Sequence, residues 1–219
     1  MNRLPELTNE LVFPPIETAT NDGLLAYGGD LSAERLLLAY NNGIFPWYDT
    51  NSPILWWSPD PRMVLFPNKL KISKSMSKIM AGDTFTLTKN VCFEKVIDQC
   101  AKVKRVGQDG TWITDDMKSA YMKLNELGHA ISYEVWSENK LVGGLYGIDL
   151  GHVFCGESMF SLKSNASKYA FISLVKVLEA KNYKLVDCQV YTKHLESLGA
   201  EEITRKTFME ILNDHSPLN

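Results

Sequence analysis

The C-terminal half of this chain carries a succession of strand-length segments that leaves few folds open. AISYEVWSE (130–138), LVGGLYGID (141–149) and HVFCGES (152–158) follow one another with turn residues at Asn139 and Gly151, which predicts an antiparallel meander. A long apolar helix, ASKYAFISLVKVLEAK (166–181), comes next and delivers the chain to a further strand, LVDCQV (185–190). A helix capped by Thr114, with Asp115 and Asp116 in its first turn and Gly128 at its end, precedes the meander. Helix, three strands, long helix and strand is an α+β order, with the long helix returning to the sheet.

Two of these segments place polar groups where they are costly. FCGESMFS (154–161) sets Glu157 among Phe154, Cys155, Met159 and Phe160, and LVDCQV sets Asp187 and Gln189 inside an apolar strand. Strict alternation would turn Asp187 and Gln189 to one face and Val186, Cys188 and Val190 to the other. Ordinary buried acids satisfied by backbone amides or a lysine would read the same way. Three such groups in two short strands point instead to a site.

The first sixty residues are rich in Gly, Pro and Trp. LSAERLLLAYNNG (31–43) predicts one helix, with Ser32 as N-cap and Gly43 as its stop. IFPWYDTNSPILWWSPDPR (44–62) holds four prolines with Trp47, Trp56 and Trp57, so it reads as an aromatic loop region with short strands. Short β segments are expected at MVLFP and TFTLT, a basic helical turn between them, and a helix from Cys92 to about Lys102. A boundary near VGQDGTW (106–112) divides the chain into a smaller N-terminal α+β domain, 1–108, and a second domain, 109–219.

The net charge of −3 conceals a segregated distribution. Residues 61–105 carry ten basic and three acidic side chains between two acidic flanks, and no acid occurs from Met63 to Gly82. Lys71, Lys74 and Lys78 lie in that stretch, a patch that would attract a polyanion or else form a solvated face. Hydrophobic content of 45% and the absence of an 18-residue apolar run or a signal-like N-terminus predict a cytosolic globular protein, with no membrane partner. Four cysteines without CxxC spacing and four scattered histidines suggest neither a disulfide framework nor a metal site.

The helix–meander–helix–strand order matches the core of GNAT-type acyltransferases. More specifically, GLLAYGGDLSAERLLLAYNNGIFPWY, PILWWSPDPR, GTWIT, LGHAISYEVW, LVGGLYGI, FCGESMFS, NASK, DCQV and SLGA, in series from about Gly23 to Ala200, resemble the leucyl/phenylalanyl-tRNA-protein transferase family. The resemblance implies a GNAT-like catalytic domain after a small N-terminal one. It implies transfer of Leu or Phe, sometimes Met, from aminoacyl-tRNA to the α-amine of proteins beginning with Arg or Lys, marking them for degradation. It also implies that Asp187 and Gln189 form the catalytic pair, Gln189 contacting the attacking amine and Asp187 supporting it, with Glu157 near the substrate amine; our own expectation is that Asp187 does so by fixing the Gln189 amide. Leu145, Phe154, Met159 and Phe171 become candidates for the pocket of the transferred side chain. Trp47 and Trp112 would hold the 3′-terminal adenosine, and Lys71, Lys74 and Lys78 the tRNA backbone.

An aminoacyl ester is already activated, so the reaction needs no ATP, metal or coenzyme; a monomer without cofactor is expected. An acetyl-CoA-dependent GNAT enzyme is the rival reading, but SLKSNASK (161–168) has no glycine where pyrophosphate would meet backbone amides. A non-catalytic tRNA-binding module is the other rival, and it leaves Glu157, Asp187 and Gln189 without a purpose.

Overall fold

The computed structural model describes residues 4–103 and 112–214. In chain order the elements are β1 (Glu6–Leu7), β2 (Leu24–Gly28), α1 (Ala33–Asn41), β3 (Phe45–Pro46), β4 (Leu55–Trp57), β5 (Arg62–Leu65), α2 (Lys74–Ala81), β6 (Thr86–Lys89) and α3 (Phe93–Lys102). Then come α4 (Asp115–Glu126), β7 (Ala130–Ser137), β8 (Lys140–Asp149), β9 (Val153–Ser161), α5 (Ala166–Ala180), β10 (Leu185–Gln189), α6 (Lys193–Ser197), β11 (Glu201–Ile203) and α7 (Arg205–Asn213). The α+β class and the helix–meander–helix–strand order are therefore both present.

Local chemistry explains most of the boundaries. Ser32, Ser73, Thr114 and Thr204 each accept a backbone N–H from the first turn of the helix they precede, satisfying one of its unpaired donors. Asn165 opens α5 differently: it adopts a left-handed φ of 69° and its side chain makes no capping bond. The turns at Asn139 and Gly151 carry φ values of 60° and 84°, as the meander requires.

The main sheet has seven strands in the order β11-β5-β10-β9-β8-β7-β6, and a smaller sheet pairs β1-β2-β4-β3. All neighbours in the main sheet are antiparallel except β9 and β10, which run parallel because α5 carries the chain back between them. Alternate side chains feed two cores. Tyr146, Ile148, Val153 and Cys155 join α3 and α4 on one face, while Leu145, Phe154 and Val186 join α5 and Met76 of α2 on the other.

The boundary expected at 108/109 lies outside the described residues. The sheet, however, crosses any such division, since β5 and β6 precede residue 108 and pair with β10 and β7. β5 is buried along its whole length between β10 and β11, which suits its apolar Met63, Val64 and Leu65 and requires its first residue, Arg62, to have a charged partner. Lys104 and Arg105, counted in the basic stretch, also lie outside the described residues. Among the described residues no helix is long and apolar enough to cross a membrane.

Candidate active site

The parallel pairing of β9 with β10 ends at Cys155 opposite Asp187, although β9 continues to Ser161. A cavity of about 420 Å³ opens there. β9 supplies Phe154, Gly156, Glu157, Ser158 and Met159 to its wall, β8 supplies Leu145 and Tyr146, and α5 supplies Phe171 and Leu174. Phe45, Pro46, Trp47 and Trp112 form another side, and Val186, Cys188, Gln189, Val190, Thr192, His194 and Leu195 complete it.

Two backbone irregularities aim the polar groups. Tyr146 pairs with Ser158 and Gly147 with Gly156, so Glu157 is an extra residue in β9, a bulge that turns its side chain away from the regular pleat. Gly147 is required opposite it, because a Cβ there would lie 2.2 Å from the Cys155 carbonyl oxygen. On β10 the register shifts between Asp187 and Gln189, and Gln189 takes a left-handed φ of 64°. Strict alternation predicts that Asp187 and Gln189 share a face; the left-handed residue breaks it. Gln189 joins Val186 and Cys188 on the cavity wall, and Asp187 points away behind it.

Asp187 is almost wholly buried and meets Arg62 through both carboxylate oxygens, at 2.8 Å from Nε and 2.6 Å from Nη2. Its Oδ1 also accepts the Gln189 backbone N–H at 2.9 Å. Asp187 therefore fixes the Gln189 backbone, and the expected contact with the Gln189 amide belongs to Glu157. Gln189 Nε2 donates to Glu157 Oε1 at 2.9 Å, and the Tyr121 hydroxyl donates to Glu157 Oε2 at 2.8 Å. Tyr40 bonds Tyr121 from beyond. Burial raises the Glu157 pKa to about 7; the tyrosines and Gln189 pull it down, and the charge of Asp187 pushes it further up. The tyrosine hydroxyls, buried beside that carboxylate, are held well above their ordinary range and stay protonated donors. Burial, followed by the charge of Asp187, likewise keeps the Cys188 thiol protonated, so it offers no thiolate nucleophile.

Of the residues singled out from sequence, Glu157, Gln189, Trp47, Trp112, Leu145, Phe154, Met159 and Phe171 share this one cavity. Trp47 is 37% exposed at its rim, its ring 5.7 Å from Trp57, whose indole N–H donates to the Trp47 carbonyl at 2.6 Å. Trp112 is buried. Lys71, Lys74 and Lys78 are exposed, do not line the cavity and form no ion pair among the described residues. Sequence reasoning missed Tyr40, Tyr121 and Arg62. The two tyrosines read as ordinary helix residues, and Arg62 reads only as part of the basic stretch.

Residues 64–213 match the family model described as leucyl/phenylalanyl-tRNA protein transferase, and residues 29–60 match the model of that protein's N-terminal domain. The chain belongs to this family. A leucyl/phenylalanyl-tRNA–protein transferase of Flavobacterium johnsoniae is 60% identical over 206 residues, 94% of this chain and 97% of its own length. One from Christiangramia forsetii is 60% identical over 202 residues, covering 91% and 95%. A solved structure of L-PGS from Bacillus licheniformis covers 78% of this chain and 57% of its own at 13% identity and a TM-score of 0.41; a likeness of that degree adds nothing to the family assignment. The two family models leave residues 61–63 between them, so the junction falls at the start of β5 (Arg62–Leu65), where the chain enters the main sheet.

Proposed function

We propose that this chain is an aminoacyltransferase. It moves Leu or Phe, with Met as a third donor, from aminoacyl-tRNA to the α-amine of proteins beginning with Arg or Lys, and so marks them for degradation. The observation that carries the reading is one cavity in which an amide–carboxylate pair, Gln189 and Glu157, meets an apolar wall of Leu145, Phe154, Met159 and Phe171 beside an exposed tryptophan.

In this reaction the amine nitrogen attacks the ester carbonyl, the C–N bond forms and the bond to the ribose oxygen breaks. The amine loses a proton and the ribose oxygen gains one. An α-amine titrates near 7.7–8.0, so a usable fraction is neutral and the main task is alignment of two substrates. Gln189 is suited to that task. Its Nε2 is committed to Glu157, which leaves its carbonyl oxygen to accept an N–H of the incoming amine. An amide is too weak a base to take the proton, but the Glu157 carboxylate behind it favours the positive charge that grows on nitrogen as the bond forms.

The apolar wall selects the donor. Each methylene buried there contributes about 0.8 kcal/mol, and the unbranched thioether of Met159 adapts to a flat ring or a branched chain. Trp47 and Trp112 suit a purine at the 3′ end, where stacking is worth about 1–3 kcal/mol per base.

The deciding experiment follows radiolabelled leucine from charged tRNA to two peptides that differ only in an N-terminal Arg or Ser. Label on the Arg peptide alone is the expected result. Tight binding of charged tRNA with no label on either peptide would leave a tRNA-binding module and sink the proposal.

A further inference from the structure

Arg62 lies behind the cavity wall, yet it touches both substrate sides of the site. Its Nε and Nη2 hold the two oxygens of Asp187, and its Nη1 donates to the Gly43 carbonyl at 3.1 Å. The guanidinium carbon sits 4.8 Å from the centre of the Phe45 ring and 4.7 Å from that of Phe208, so aromatic rings from β3 and α7 also hold it. Burial is the largest single influence and opposes its charge, but Asp187, together with Cys155 and Glu157, raises its pKa on balance. All of these partners are fixed in a fork that only a planar guanidinium provides.

The contacts with Gly43, Phe45 and Asp187 each lead to a part of the cavity. Gly43 and Phe45 begin the segment that presents Pro46 and Trp47 to it, the side suited to the tRNA 3′ end. Asp187 accepts the Gln189 backbone N–H and thereby supports the left-handed conformation that brings the Gln189 side chain onto the opposite wall. A left-handed non-glycine residue costs on the order of 1 kcal/mol or more and persists only where its surroundings impose it. Asp187 and Arg62 are those surroundings.

We infer that Arg62 is a positioning residue for the transfer: acting through Asp187, it fixes Gln189 against the Trp47 segment, so that amine and ester meet in line. Asp187 then works as a strut held by Arg62, without touching the substrate. The inference rests on the proposed transferase reading. It assigns to a residue of the basic stretch a role unrelated to tRNA phosphates, since Arg62 is 1% exposed.

A double-mutant cycle on the full chain tests this, with Arg62→Lys, Gln189→Ala and the double variant. The readout is kcat for leucine transfer to the Arg-initiated peptide, per folded protein measured by circular dichroism. Lysine keeps the charge and loses the fork. If Arg62 acts through Gln189, Arg62→Lys lowers kcat about tenfold or more while KM for leucyl-tRNA moves less than about threefold. The double variant then matches Gln189→Ala within about twofold, because nothing is left to position. Single effects that multiply in the double variant, or an unchanged kcat in folded Arg62→Lys, would overturn the inference. Should Arg62→Lys fail to fold, Asp187→Asn takes its place in the same cycle, with the same two readings. A wild type that transfers no leucine overturns the transferase reading itself and takes this inference with it, whereas an active wild type with multiplying effects removes the inference alone.

Discussion

At the scale of single residues, Glu157 is where the protein concentrates its cost. Its carboxyl is paired with a tyrosine and an amide, neither of which is charged, and its pKa rises to about 7 from an ordinary 4.5. A raised carboxyl pKa means that the folded protein holds the proton more tightly than the unfolded chain. Stability from this group is complete below about pH 4.5 and is lost as pH rises to about 7, by up to roughly 3 kcal/mol. Denaturant unfolding of wild type and Glu157→Gln should therefore show a difference that shifts in favour of the variant as pH rises through that window. A difference independent of pH would mean that Glu157 ionises normally. Under the proposed mechanism catalysis runs the opposite way, because there the Glu157 carboxylate is assigned to favour positive charge on the attacking amine. At saturating substrates kcat should increase through pH 7 in wild type, and Glu157→Gln should lose that inflection.

At the scale of elements, the legible parts are those with a local cause. The meander follows from turn residues at Asn139 and Gly151, and α4 and α1 start at their Thr114 and Ser32 caps. The apolar wall was also legible, because Leu145, Phe154, Met159 and Phe171 sit in segments whose strand or helix character is plain. Three features were not. The Glu157 bulge depends on register across two strands, the left-handed turn at Gln189 contradicts simple alternation, and Arg62 finds Asp187 125 residues later in the chain. Such pairings have no period and no composition, only a meeting place. The bulge makes its own prediction at Gly147. Alanine there would bring Cβ to 2.2 Å from the Cys155 carbonyl and 2.6 Å from the Phe154 ring, so β8 and β9 must move apart where Glu157 is aimed. Gly147→Ala should cost about 1–3 kcal/mol in thermal unfolding and lower kcat in the protein that remains folded. A variant of wild-type stability and rate would show that the bulge does not set the site.

At the scale of the whole molecule, an acidic chain must approach a polyanion. The net charge is −3, yet residues 61–105 gather ten cations, and Lys71, Lys74 and Lys78 present theirs to solvent without acidic partners among the described residues. Lys69 shows the contrast, because Glu201 already pairs with it. Met76 anchors α2 in the same core as Phe171 of α5, so the helix bearing Lys74 and Lys78 is fixed to the element that lines the cavity. A tRNA whose 3′ end enters beside Trp47 would extend its phosphate backbone across the surface, and a lysine that neutralises a phosphate releases counterions. Replacing the three lysines by alanine should weaken leucyl-tRNA binding and flatten its dependence on salt, with the slope of log Kd against log salt falling by somewhat under one per lysine lost. Because none of the three lines the cavity, kcat at saturating tRNA should stay within about twofold of wild type. An unchanged salt slope would mean that the phosphates lie elsewhere. A fall in kcat with an unchanged slope would instead tie α2 to the chemistry through its packing on α5.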